Sequence, residues 1–176
     1  LVGCGVMTGV GAAINTAKVA PGSSCAVIGT GGVGLNVIQG CALAGAERII
    51  AIDVRENKLA MARKFGATHT IDASQEDPVA AVKALTDGGV DYAFEAIGLP
   101  LAITQAFDMA RRGGEAIVVG MAPFGSEVTI SATAFLEEKV LRGCMYCSTR
   151  PRVDMPRIVD LYMAGKLNRD DLVSRR

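Results

Sequence analysis

Residues 25–34 read CAVIGTGGVG, and the interpretation of this stretch decides the fold. A compact apolar run, Cys25 to Ile28, enters the turn Gly29-Thr30-Gly31-Gly32-Val33-Gly34, after which GVGLNVIQGCALAGA carries apolar residues at helical spacing. A G-x-G-x-x-G pattern at a strand-to-helix turn has a physical reason for each glycine. Gly29 allows the tight turn, Gly31 lets another molecule approach the backbone, and Gly34 lets helix and strand pack closely. In a chain with 21 glycines the bare pattern means little; its position between strand and helix gives it weight. The free N–H groups and the positive dipole end of such a helix suit a diphosphate.

Outward from this loop, strand and helix signals alternate. ERIIAIDV, THTID, VDYAFEAIG and GGEAIVVG are short runs rich in Val and Ile, separated by RENKLAMARKFG, QEDPVAAVKALTDGG and LPLAITQAFDMARRGG. KVLRGCMYC reads as a sixth strand and DMPRIVDLYMAGKL as a final helix, while ASQEDP and MAPFGSE read as surface loops. An opening helix is expected over roughly residues 6–19, stopped by Pro21-Gly22. This alternation predicts an α/β fold of the Rossmann type, a doubly wound parallel six-stranded sheet with helices on both faces. Coverage of both faces accounts for strands that are continuously apolar. Nothing marks a domain boundary, so residues 1–176 are expected to form a single dinucleotide-binding domain, with residues 1–20 as a lead-in segment and helix.

The second strand ends at Asp53, about 20 residues past the loop, where an acid accepts hydrogen bonds from the adenosine ribose hydroxyls. A carboxylate there repels a 2′-phosphate and favours NAD over NADP. Arg55, two residues on, is able to pair with such a phosphate and pulls the other way. Lys58 either reaches the same ribose or is a solvated surface lysine. Ligands bind at the carboxyl ends of the strands near the topological switch. Ala96, Ile97 and Gly98 after the fourth strand, and Val119, Gly120 and Met121 at the end of the fifth, should therefore line the nicotinamide side.

Composition narrows the partners. Eighteen basic residues balance eighteen acidic ones, so no net field attracts nucleic acid or anionic lipid. The apolar runs are far shorter than the roughly 20 residues that span a bilayer, and no basic-then-apolar leader precedes Leu1. A cytoplasmic protein with neither nucleic-acid nor membrane partner is expected. The five cysteines, at 4, 25, 41, 144 and 147, are read as reduced thiols. Cys25 and Cys41 lie in apolar runs, and Cys144-Met-Tyr-Cys147 reads as part of a strand with no second ligand pair for zinc.

The stretch from GCGVMTGVG through CAVIGTGGVG to ERIIAIDV resembles the medium-chain, zinc-dependent alcohol dehydrogenases, which include glutathione-dependent formaldehyde dehydrogenases. The likeness continues through KLAMARKFGATHTID, GGVDYAFEAIG, IVVGMAP and the last helix. It implies that Cys4 matches a ligand of the catalytic zinc, Thr8 the hydroxyl residue beside the nicotinamide, and Tyr146 a backbone contact to the carboxamide. It implies NAD as cofactor, zinc in the parent enzyme, and an alcohol, aldehyde or thiol adduct as substrate. In that family a separate domain supplies the remaining zinc ligands and the proton relay, so this chain is expected to be an excised cofactor domain with no catalytic residue of its own. It should bind NAD without turning over alcohols. The family joins two edge strands about a two-fold axis, so a homodimer through the strand near 139–147 is expected.

Other readings make different demands. An NAD-sensing regulatory module has no need of Cys4 or Thr8, and a methyltransferase loop follows an acidic strand, whereas AVIG carries no acid. Zinc-free quinone reductases lack a cysteine at the place of Cys4 and generally lack the aspartate. Tyr162-Met-Ala-Gly-Lys166 spells the Y-x-x-x-K of short-chain dehydrogenases, but Leu35 stands where their loop has glycine, and Gly165 interrupts the helix. Tyr162 is expected to pack the last helix on the sheet. His69 is expected to be structural or exposed.

Overall fold

The computed structural model describes residues 2–172. Six strands, β1 (Ser24–Ile28), β2 (Arg48–Asp53), β3 (His69–Asp72), β4 (Val90–Glu95), β5 (Ala110–Val118) and β6 (Val140–Gly143), form one sheet in the order β3-β2-β1-β4-β5-β6. Every adjacent pair is parallel. This is the doubly wound arrangement expected from the sequence, with the chain reversing direction across the sheet between β1 and β4. The helices are α1 (Met7–Gly11), α2 (Gly32–Leu43), α3 (Glu56–Lys64), α4 (Pro78–Thr86), α5 (Pro100–Met109) and α6 (Pro151–Met163).

Successive strand residues point to opposite faces, and the two cores show it. Cys25, Val27, Ile49 and Ala51 pack with Leu35, Val37, Ile38 and Ala62 from α2 and α3. Ala26, Ile28, Ile50 and Ile52 pack on the other face with Val82 of α4 and Ala102, Ala106 and Phe107 of α5. Both faces need apolar residues, so the strands are unbroken apolar runs. A third cluster joins Val6, Met7 and Val10 of the opening segment to Ile158 of α6. Among the described residues no helix is long and apolar enough to cross a membrane.

Three element bounds differ from the sequence reading. The opening helical segment runs from Val2 to Ala17, with π-helical turns at Val2–Val6 and Ala12–Ala17 flanking α1, and Lys18 ends it at φ 53°. The fifth strand begins at Ala110, inside the expected helix MARRGG. Ala110 pairs with Val90 and Glu115 with Tyr92, so the intervening residues loop out of the ladder; pairing of buried Ala110 with β4 replaces the last turn that the helical propensity of MARR suggests. The sixth strand stops at Gly143. KVLRGCMYC is therefore not one strand: Tyr146, Cys147 and Ser148 take left-handed φ values of 49°, 50° and 53°, and this turn sends Cys147 into the core.

Tyr162 does not pack on the sheet. Its hydroxyl donates to the Asp170 carboxylate at 3.1 Å, and its ring lies with the cluster around Val6 and Met7. Gly165 at φ 69° follows the end of α6, so Lys166 is outside the helix that carries Tyr162. His69 is exposed at the start of β3 on the sheet edge, with Nδ1 2.9 Å from the Thr68 hydroxyl.

Candidate functional site

Strand β1 delivers the chain to Gly29, whose φ of 89° lies in the region that disfavours side chains. Its N–H bonds the Ile52 carbonyl at 2.8 Å, holding the turn to β2. A Cβ added at Gly34 would stand 1.8 Å from the Gly29 carbonyl oxygen, so only glycine lets α2 start this close to the strand. Above the loop the opposite holds: a Cβ at Gly31 or Gly32 would meet nothing within 4 Å. Gly31 is the N-cap of α2 and no side chain caps that helix. The first turn of α2, carried by Gly32, Val33 and Gly34, thus starts uncapped beside open space at Gly31 and Gly32, and an uncapped helix start with room beside it is what a diphosphate requires.

Asp53 lies beside this loop. Its Oδ2 accepts from the Thr30 N–H at 2.9 Å and the Thr30 hydroxyl at 2.8 Å. Its Oδ1 accepts from the amides of Val54 at 2.9 Å and Arg55 at 3.2 Å. The acid thus ties the glycine loop to the end of β2 as well as facing outward. Thr30 is fully buried while Asp53 keeps partial exposure. Arg55 is exposed at the N-cap of α3, and Lys58 is partly buried in its first turn.

Across the switch point, one residue not singled out from the sequence organises the second wall. Glu95, the last residue of β4, is fully buried. Its Oε1 accepts from the amides of Ile97 at 2.7 Å and Gly98 at 2.6 Å. Its backbone carbonyl takes the Val119 and Gly120 amides at 2.8 and 3.0 Å. Glu95 therefore holds Ala96-Ile97-Gly98 and Val119-Gly120-Met121 together, and its Oε2 has no partner among the described residues. The signal was present: an acid closing the strand VDYAFE directly after the apolar pair Ala93-Phe94. Ile97 and Met121 are 48% and 93% exposed at this rim.

The opening segment reaches the same region. A Cβ at Gly9 would lie 2.5 Å from the Val33 carbonyl, so α1, bearing the partly buried Thr8, rests on the first turn of α2. Tyr146 donates its hydroxyl to the Gly3 carbonyl, bringing the turn after β6 beside Cys4, which is exposed. Among the described residues no three His, Cys, Asp or Glu side chains cluster as a metal site. Three protein ligands are needed for a catalytic zinc, so the described residues do not by themselves fit the metal.

The sequence model of the family described as zinc-binding dehydrogenase matches residues 32–163. The S-(hydroxymethyl)glutathione dehydrogenase of Paracoccus denitrificans is 41% identical over 181 residues, covering 98% of this chain and 48% of that protein. The benzyl alcohol dehydrogenase of Acinetobacter calcoaceticus superposes with a TM-score of 0.92 at 40% identity, covering 94% of this chain and 46% of that one. A zinc-binding dehydrogenase structure from Sinorhizobium meliloti, bound to NADP, gives a TM-score of 0.87 at 29% identity over 98% of this chain and 51% of that one. The chain spans about half the length of the curated relatives it matches.

Proposed function

The chain belongs to the medium-chain, zinc-binding alcohol dehydrogenase family, and from that premise we propose that it is the NAD-binding half of an oxidoreductase that transfers hydride between an alcohol and the dinucleotide. The observation that carries this reading is the open amide-lined end of α2, with Gly31 and Gly32 unobstructed and Asp53 fastened beside it through Thr30.

When bound, NAD supplies the hydride acceptor. The amides following Gly31 hold its diphosphate, and Asp53 accepts from the adenosine ribose, with Lys58 alongside. The ribose exchanges with the 3.2 Å Arg55 amide contact, the longest of the four that Asp53 accepts. Ala96-Ile97-Gly98 and Val119-Gly120-Met121, stapled by Glu95, form the wall for the nicotinamide, with Thr8 and the Tyr146 backbone at its other side. Cys4 would serve as one zinc ligand in the longer protein, and no step through the metal follows for this chain alone. The substrate class is a small alcohol or aldehyde, or the glutathione thiol adduct that the Paracoccus denitrificans relative's name describes. A homodimer is supported by the edge position of β6 and by exposed Val140 and Met145 at 42% and 92%.

The test is a fluorescence titration of the 176-residue chain with NADH and NADPH, alongside an alcohol-dependent NAD reduction assay. Saturable NADH binding, at least about tenfold tighter than NADPH as one lost phosphate contact against a carboxylate implies, with no turnover, is expected. No binding of either dinucleotide by folded protein overturns the reading; tighter NADPH binding assigns the leading contact to Arg55 instead of Asp53.

A further inference from the structure

Cys144 and Cys147 form a pair that dinucleotide binding does not use. Cys144 follows β6 directly, its amide bonded to the Val118 carbonyl at 3.2 Å. The left-handed turn at residues 146–148 then returns Cys147 so that the two sulfurs stand 3.1 Å apart. Closing a disulfide needs a sulfur separation of about 2.05 Å, so the two sulfurs must approach by roughly an ångström. The two residues differ in access: Cys144 is partly exposed and Cys147 is fully buried. The turn is also braced, since a Cβ at Gly11 would meet the Cys147 carbonyl oxygen at 3.0 Å, and the Thr16 and Ser148 hydroxyls are 3.2 Å apart.

We propose that Cys144 and Cys147 are a reversible dithiol–disulfide site, Cys144 entering and Cys147 resolving, with a small-molecule disulfide as co-reactant. The Cys144 thiolate attacks one sulfur of the small disulfide, forming a mixed disulfide and releasing one thiolate. Cys147 attacks the Cys144 sulfur, its proton passing to the second small thiol as that leaves, and the Cys144–Cys147 bond closes. Two electrons leave the cysteine pair and reduce the small disulfide to two thiols.

The environment suits this division. The hydrogen-bonding contact with the Cys147 sulfur lowers the Cys144 thiol below its usual range; burial opposes this and the Thr16 hydroxyl assists it. The same interaction, with burial, pushes Cys147 up. The other cysteines lack the combination. Burial raises Cys41, with Cys25 beside it, and both are fully enclosed, whereas Cys4 is exposed.

The experiment equilibrates the full chain with oxidised glutathione, blocks remaining thiols and maps the peptides by mass spectrometry. The expected product is a Cys144–Cys147 link, two hydrogens lighter and reversed by dithiothreitol, formed at least about tenfold faster than any modification of Cys25 or Cys41. Cys147→Ser should accumulate glutathione on Cys144, and Cys144→Ser should leave Cys147 unmodified. If either variant fails to fold, the wild-type map alone decides. Free thiols at both positions, or adducts confined to Cys4, overturn the proposal.

Discussion

The same side-chain motif closes both ends of β1, with different results. At the amino end, Asp91 Oδ2 accepts from the Ser24 N–H at 2.7 Å and its hydroxyl at 2.8 Å. At the carboxyl end, Asp53 Oδ2 takes the Thr30 N–H and hydroxyl at 2.9 and 2.8 Å. The difference lies in what the second oxygen meets. Asp91 Oδ1 is held by the Arg111 guanidinium at 2.7 Å, which neutralises it and completes a clamp across β1, β4 and β5. Asp53 pairs with no cation among the described residues and sits under the open end of α2. One local motif gives a strut where a cation closes it and leaves the carboxylate uncompensated where only backbone amides meet it.

Alanine at two loop positions tests this contrast most severely. Gly34→Ala places a methyl 1.8 Å from a backbone oxygen and should cost about 4 kcal/mol or more, or prevent folding. Gly31→Ala meets nothing within 4 Å at an ordinary extended φ of −72°. Its unfolding free energy in urea should change by less than about 0.5 kcal/mol, while NADH affinity falls about tenfold or more as the methyl enters the diphosphate approach. Equal stability losses would mean that the loop is not open on one side.

Exchanging the acids sharpens the comparison at intermediate size. Asp91→Asn should lower stability by about 2 kcal/mol through its weakened bonds to Ser24 and Arg111, with NADH affinity unchanged. Asp53→Asn should cost about 1 kcal/mol of stability and about tenfold in NADH affinity. Denaturation and NADH titration of both variants separate the roles; an affinity loss in Asp91→Asn matching that in Asp53→Asn breaks the distinction.

The smallest effect is a pH dependence at the amino end. Burial raises the Asp91 carboxyl, but the Ser24 amide and hydroxyl and the Arg111 guanidinium outweigh it and leave the group below its ordinary range. A folded value below the unfolded one contributes stability that is complete above the unfolded pKa of about 3.9 and is lost as pH falls through the folded value. The difference in urea midpoint between wild type and Asp91→Asn should therefore shrink as pH falls from 7 to about 3. A constant difference would remove the ionic part of the clamp.

Much of this was legible because it is local. Gly29, Gly34 and the apolar run before them specify a strand, a turn and a helix through contacts a few residues apart, and Asp53 follows at the distance one crossover requires. Glu95 passed unnoticed, since an acid at a strand end reads as solvated until its side chain is found beneath Ile97 and Gly98. RGCMYC looked like continued strand because its residues tolerate extension. Contact of Cys147 with Gly11, at the far end of the chain, coincides instead with a left-handed turn. That turn is what makes the two thiols neighbours.

From the sequence alone came the order of strands and helices, the sheet type and the glycine turn between β1 and α2, all consequences of short-range periodicity and turn chemistry. Tertiary structure decided which carboxylate is neutralised, which acid lies buried beneath Ile97 and Gly98, and which sulfurs meet. Those outcomes depend on partners 67 residues apart, as for Ser24 and Asp91, or 143 apart, as for Gly3 and Tyr146. Such pairs become neighbours only when the crossovers set the strand order, because burial and charge pairing depend on position in space and not on separation along the chain.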